Sequence, residues 1–298
     1  MTTKIQWAEE TWNPIRGCTR VSPGCANCYA ERHAGRFSGE GLAFHGFAAR
    51  VGGKSRWTSE VELIEHKLYE PLSWKKPRKV FVNSMSDLFH DKVADLDMPA
   101  ELGILPRIFA VMAACPQHTF QILTKRPEIA LEWFRCQPEI SIEAEFQFHS
   151  FFYSVNPRSK PRDWPGWPLP NVWIGVSVES QRYADERLPI LGEIPAALRF
   201  ASAEPLLEQL SLEPHLATFL DWLIVGGESG PKARTMQLQW AEDLVRQAKQ
   251  NEKPVFVKQL GSVLAKQMQL KHKKGGDLAE WPKHLQIRQF PAQPRSDK

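Results

Sequence analysis

A chain of 298 residues with 42% hydrophobic and 24% charged residues has the length and balance to bury the core of one large α/β domain or two smaller ones, which excludes a disordered or fibrous protein. No apolar run reaches the roughly 20 residues of a membrane-spanning helix, and MTTKIQWAEETWNP has neither the basic n-region nor the apolar h-region of a secretory leader, so a cytoplasmic protein with no membrane segment is expected. In that reducing compartment an odd count of five cysteines excludes a disulfide framework and points to metal or redox chemistry.

The first predicted element is a short strand around TWNPIRG, Thr11 to Gly17. It runs into GCTRVSPGCANCYAERH, where Cys18, Cys25 and Cys28 stand in the spacing C-x6-C-x2-C. Thiolates bind soft and borderline metals, and an x2 spacing lets two sulfurs of one turn reach the same centre. Two donor sets fit: zinc with His33 as fourth ligand, or a four-iron cluster on three cysteines with one iron left open. Free structural thiols prefer apolar surroundings, whereas these three sit among Gly, Pro, Ser, Asn and Arg. Cys115 and Cys136 adjoin apolar helical stretches and read as packed core thiols. A structural zinc site staples a small module that lacks a core, and this chain has core to spare. Residues 35–57 then gather six of the 18 glycines with four Arg or Lys, as a flexible lid or a long surface loop would.

Six Val-, Ile- and Phe-rich runs follow: Lys79 to Asp87, Thr119 to Pro127, Asn171 to Glu179, Leu198 to Pro205, Asp221 to Gly230 and Pro254 to Gly261. Near-continuous apolar runs of this length suit strands buried on both faces, as in parallel sheets. Between them lie amphipathic helices such as MPAELGILPRIFAVMAAC and MQLQWAEDLVRQAKQN. Seven βα units predict an α/β fold, a parallel (β/α) barrel, closed or partly open, over residues 1–261, with a doubly wound open sheet as the architectural alternative. Residues 137–170 lengthen the third connection and read as an insertion. Residues 262–298 form a basic C-terminal extension.

Where these runs end, polar residues collect: Asn83, Ser84, Ser86 and Asp87; Thr124, Lys125 and Arg126; Ser177 and Glu179; Glu204; Gly226, Gly227, Glu228 and Ser229; Lys258 and Gln259. Any one of them is explained by helix capping. Six strand ends of this kind together mark a polar site at the rim where barrel chemistry gathers.

The net charge of +4 is uneven, with +7 on residues 249–298. A solvated face is the ordinary reading of such a block. Together with the basic residues of the glycine-rich stretch and the Lys125-Arg126 pair, it also reads as a positive approach for a polyanionic substrate, nucleic acid or nucleotide.

A barrel whose first βα loop carries three closely spaced cysteines resembles the radical S-adenosylmethionine (radical SAM) superfamily. More narrowly, TWNP-x-x-GC, S-x-GC-x-x-CYAER, VFVNSMSDLFHD, FQILTKRPE, NVWIGVSVE, ADERLPIL, RFASAEPLL, DWLIVGGESGP-x-AR and FVKQLG, with WPKHLQIRQFP near the end, resemble a three-cysteine family recorded in phages and bacteria and described as a domain of unknown function. The chain departs from the superfamily in its first cysteine gap of six, in Asn27 before Cys28, and in NSMSD where a G-G-E stretch is usual.

The superfamily resemblance implies that Cys18, Cys25 and Cys28 hold a [4Fe–4S] cluster whose fourth iron binds S-adenosylmethionine. A flavodoxin- or ferredoxin-like donor supplies the electron that cleaves the sulfonium to methionine and a 5′-deoxyadenosyl radical. It places cofactor contacts at Asn83, Ser84, Ser86, Asp87, Ser177, Glu179, Gly226 and Gly227. Lys125, Arg126, Glu204, Glu228 and Lys258 are left to bind an unknown substrate or manage protons. Two other classes stand beside it: a zinc-knuckle nucleic-acid-binding protein with Trp57, Trp164, Trp167 and Trp281 as stacking platforms, and an iron–sulfur electron carrier or sensor that uses no S-adenosylmethionine.

Overall fold

The computed structural model describes residue 3 and residues 5–94, 103–136, 138–152 and 163–292, with backbone only at 148–152. The expected strand at Thr11 to Gly17 is two short ones, β1 (Glu10–Trp12) and β2 (Ile15–Arg16). Pro14, which has no N–H to give a ladder, lies between them. The cysteine segment ends in helix α1 (Tyr29–Ala34). The glycine-rich stretch holds an antiparallel hairpin, β3 (Ala48–Val51) and β4 (Lys54–Trp57), and β5 (Glu62–Leu63) pairs antiparallel with β2. After α2 (Glu65–Leu68) come β6 (Lys79–Val82), α3 (Asp91–Ala94), α4 (Ile104–Ala113), β7 (Thr119–Thr124), α5 (Pro127–Arg135) and α6 (Glu139–Phe152). The chain then alternates through β8 (Val172–Ser177), α7 (Gln181–Glu193), β9 (Leu198–Ala203), α8 (Glu213–Thr218), β10 (Trp222–Gly226), α9 (Leu238–Gln250), β11 (Val255–Gln259) and α10 (Ser262–Gln267).

The fold is α/β, with one seven-stranded sheet in the order β1-β6-β7-β8-β9-β10-β11. Its described registers are parallel, as between β6 and β7 and between β9 and β10. Each of the six apolar runs contains one of these strands. β8 and β10 are buried at every position, which is why their sequences show no alternation. No helix among the described residues is long and apolar enough to cross a membrane.

Two compact units divide the chain: Met1–Val21 with Cys28–Trp173 and Ile194–Ala197, and Ser22–Asn27 with Ile174–Glu193 and Leu198–Lys298. In the first, α4 is buried along almost its whole length, from Leu105 to Ala113, and packs against α3 and α6, where Ile142 and Phe146 are fully buried. A helix apolar on all sides needs cover on several of them. The segment expected as an insertion, residues 137–170, supplies α6; its residues 137 and 153–162 lie outside the described residues.

In the second unit, α9 buries Ala241, Leu244, Val245 and Ala248, a helical stripe, and packs on β10 and β11. Residues 287–289 lie along the outer edge of β11. Val257 N–H donates to the Ile287 carbonyl and Gln289 N–H to that of Val255, an antiparallel bridge joins Phe256 to Arg288, and the Trp222 indole donates to the Gln289 carbonyl at 3.0 Å. The basic extension thus covers a strand edge that would otherwise offer open hydrogen-bonding groups; its residues 293–298 lie outside the described residues.

Candidate functional site

In the first unit the chain enters the cysteine segment at Gly17, whose φ of +92° belongs to glycine and whose missing Cβ would collide with the Glu60 carbonyl. Cys18 follows, half-buried and in no disulfide. Beside it lies a chain of buried polar groups from the ends of β6 and β7. Four donors converge on the Asp87 carboxylate: the Thr124 hydroxyl at 2.7 Å, the Phe89 and Lys125 amides at 3.1 and 3.0 Å, and Arg126 Nη1 at 3.1 Å. Arg126 Nη2 donates to the Thr19 carbonyl at 3.1 Å and to its hydroxyl at 2.6 Å. That hydroxyl is left to donate to His90 Nε2 at 3.0 Å, and His90 Nδ1 faces Asp91 at 2.6 Å. Burial and the Asp87 charge push the Cys18 thiol up to about 12, with Arg126 pulling the other way. Burial, followed by the Arg126 charge, depresses the His90 pKa, while Asp91 opposes. At neutral pH Cys18 is therefore a thiol, and a metal that takes it as a ligand must displace a proton.

The NSMSD turn is stitched onto the first two strands. Asn83 has a φ of +58°; its Oδ1 accepts the Ile15 amide, and its Nδ2 is buried with no hydrogen-bond partner. Ser84 Oγ donates to Asn13 Oδ1 and Ser86 Oγ to the Ile15 carbonyl, both at 3.1 Å. Past Cys28, the N-cap of α1, Glu31 is buried. It binds the Arg20 guanidinium and accepts the Trp57 amide of β4 at 3.2 Å, so one carboxylate ties the cysteine segment to the hairpin. His33 packs its ring against Tyr29, Phe37 and Phe44.

The second unit contains Ser22–Asn27. Pro23–Cys25 form a single helical turn, and the Gly24 amide donates to Glu179 Oε1 at 3.2 Å. A Cβ on Gly24 would lie 2.9 Å from that carboxylate. Glu179 is fully buried and paired with Arg187 at 2.9 Å; the same guanidinium holds the Ser177 carbonyl at 2.8 Å. Asn27 Nδ2 bridges Glu228 Oε2 and the Lys232 carbonyl at 2.9 and 2.7 Å, while Arg234 donates to both oxygens of Glu228. Burial raises the Glu228 pKa, but the bonds from Arg234 and Asn27 outweigh it and hold the carboxyl below its usual range. Lys258 Nζ grips both oxygens of Glu204 at 2.7 and 2.9 Å in a partly exposed pair. Gln259 bridges Glu204 and the Gly227 carbonyl, and Gly226 lies against the Glu204 side chain.

Within the first unit, then, Asp87 and Arg126 meet beside Cys18, with Lys125 joined through its backbone and Asn83, Ser84 and Ser86 in the supporting turn. Within the second, Glu179 holds the turn of Cys25, Glu228 holds Asn27, and Glu204, Lys258, Gly226 and Gly227 form a separate cluster. Sequence reasoning missed Thr19, Asn27, Glu31, His90, Arg187 and Arg234, none of which ends an apolar run. It also missed Gln121, fully buried on β7 with both amide atoms unpartnered; a glutamine amid apolar strand residues is the signal that exposes it. Cys115 is buried, as expected, whereas Cys136 is exposed at the end of α5. Among the described residues no group of three or more His, Cys, Asp or Glu is arranged to hold a metal ion.

A family model described as "Protein of unknown function (DUF5131)" matches residues 2–287. Neither curated proteins nor solved structures give a match.

Proposed function

We propose, from the premise that the chain belongs to that family of unknown function, that it is a cytoplasmic iron–sulfur, S-adenosylmethionine-dependent radical enzyme. In this reading the sheet is that of a partly open (β/α) barrel, and residues 137–170 are an insertion in it. The observation that carries the proposal is that three cysteines, none of them in a disulfide, stand in a segment whose backbone is gripped by buried ionic side chains: Arg126, paired with Asp87, holds Thr19 next to Cys18, and Glu179, paired with Arg187, holds Gly24 next to Cys25. Structural thiols need no such anchoring, whereas metal ligands are regularly oriented by hydrogen-bonded neighbours.

The donor set suits the cluster in type: three soft sulfurs with no disulfide among them. Cys18, Cys25 and Cys28 would hold the cluster, and bound S-adenosylmethionine would supply hydrogen-atom abstraction from carbon. The chain's own residues do the rest. Arg126 orients Thr19 and with it the backbone beside Cys18. Glu179 and Glu228 fix the turn of Cys25 and Asn27. The exposed side of the Glu204–Lys258 pair is the group best able to hold or pass a proton at a substrate, with Lys258 as donor. A flavodoxin- or ferredoxin-like protein would deliver the electron.

Anaerobic purification followed by iron, sulfide and zinc analysis tests this. About four irons per chain are expected, lost in Cys18→Ala, Cys25→Ala or Cys28→Ala and kept in Cys115→Ala. Dithionite with S-adenosylmethionine should then release 5′-deoxyadenosine. One tight zinc without iron would overturn the proposal in favour of a zinc knuckle; a cluster that leaves S-adenosylmethionine uncleaved would make the protein an electron carrier or sensor.

A further inference from the structure

We infer that the turn Lys271–Lys274 is a nucleic-acid backbone site, which deepens the proposed function by naming a polymeric, phosphate-bearing substrate class. Lys271, His272, Lys273 and Lys274 are all exposed, yet they do not belong to a loose tail. The Gly261 amide donates to the Lys274 carbonyl and the Leu260 amide to that of Gly275, which fastens the turn to the end of β11 immediately after Lys258 and Gln259. Arg288 staples the same place: its Nη2 donates to the Lys258 carbonyl at 2.9 Å and to the Gly276 carbonyl at 3.0 Å, while its guanidinium lies over Trp281 and Phe256. Inside the turn, the Glu280 carboxylate accepts the Lys271 and His272 amides at 2.7 and 3.0 Å, and His272 Nδ1 accepts the Gly276 amide at 2.9 Å.

The nearby acids are therefore turned toward backbone. Glu280 holds the turn, and Asp277 accepts the Ala279 amide at 3.0 Å. Among the described residues, none of the Lys271, Lys273 and Lys274 ammonium groups is ion-paired. A pre-ordered backbone presenting three unpaired ammonium groups loses little order when anions bind, and phosphates neutralised this way release counterions. An anionic membrane fits less well, because a surface-binding segment needs apolar side chains to insert. Of the exposed large hydrophobics, none lies between residues 262 and 289.

The full-length protein, with and without bound metal, is titrated with a fluorescent 20-nucleotide single-stranded DNA and its RNA counterpart from 50 to 300 mM salt. Binding should weaken log-linearly with salt. Replacing Lys271, Lys273 and Lys274 together by Ala should flatten the slope by about two, at roughly 0.7 per phosphate contact, and weaken binding at least tenfold at 50 mM, with an unchanged melting temperature. Replacing Lys249, Lys253 and Lys283 together removes the same charge elsewhere and should leave most of the slope. No binding, salt-insensitive binding, or equal losses in the two triple variants would overturn the inference. So would retention on phosphatidylserine vesicles without oligonucleotide binding. Because the titration needs neither cluster nor S-adenosylmethionine, its failure is distinct from failure of the proposed enzyme.

Discussion

At the scale of residues, the candidate site is a set of charges placed where charge is costly. Asp87 and Arg126 are both almost fully buried, and such pairs are expensive to break because the remaining partner keeps its desolvation cost. Arg126→Met should destabilise the protein by about 3–5 kcal/mol, toward the lower end because Thr124 and two amides still serve Asp87. Adding Asp87→Asn should recover part of that loss, so the double variant costs less than the sum of the singles; denaturant melts of all three check this. Glu228 yields a pH prediction. Its folded pKa lies below the ordinary value of 4.5, so the stability it contributes is full above that value and fades as pH falls through the folded pKa. Amide exchange at Arg234, which donates to this carboxylate at 2.7 Å, should accelerate as pH drops below about 4.5, beyond the intrinsic change. In Glu228→Gln that extra acid dependence should vanish.

Among the elements, the hairpin β3–β4 best shows how local chemistry decides shape. Gly52 and Gly53 have φ of +56° and +72°, the two positive values that a two-residue hairpin turn of matching twist requires. Phe44, Phe47 and Ala48 pack with Ala34 of α1, with Trp57 and Met85 against them, so the hairpin is a wall beside the cysteine segment. Gly53→Val puts a β-branched residue at positive φ and should cost about 1–2 kcal/mol, read as faster amide exchange confined to residues 48–57. Gly53→Asn, which tolerates that region, should cost less. Glu31→Gln should loosen hairpin and cysteine segment together, because a single carboxylate holds Arg20 and the Trp57 amide.

For the whole molecule, the last described residues decide whether the sheet ends safely. Ending the chain after His284 would strip Ile287, Arg288 and Gln289 from β11 and Phe290 from its contacts with Trp222 and Phe256. The bared edge and rings should give a protein that elutes as aggregate in size-exclusion chromatography, while the full chain does not. By itself the sequence determined the α/β class, six of the sheet's seven strands, α4 and α9, and the polar strand ends, because runs buried on both faces must be apolar throughout and a helix against a sheet must carry a 3.6-residue stripe. It also marked the three cysteines as unusual by their polar neighbours. Only the tertiary structure decided that Asp87 is already engaged by four donors, that Glu31 and Asn27 clamp the cysteine segment, that the glycine-rich stretch contains a hairpin, and that the basic extension is a sheet edge's cover. Apart from the hairpin, whose turn is local, those outcomes rest on partners far along the chain, 37 residues from Asp87 to Thr124 and 201 from Asn27 to Glu228, and no local pattern encodes which distant donor will meet a given buried acceptor.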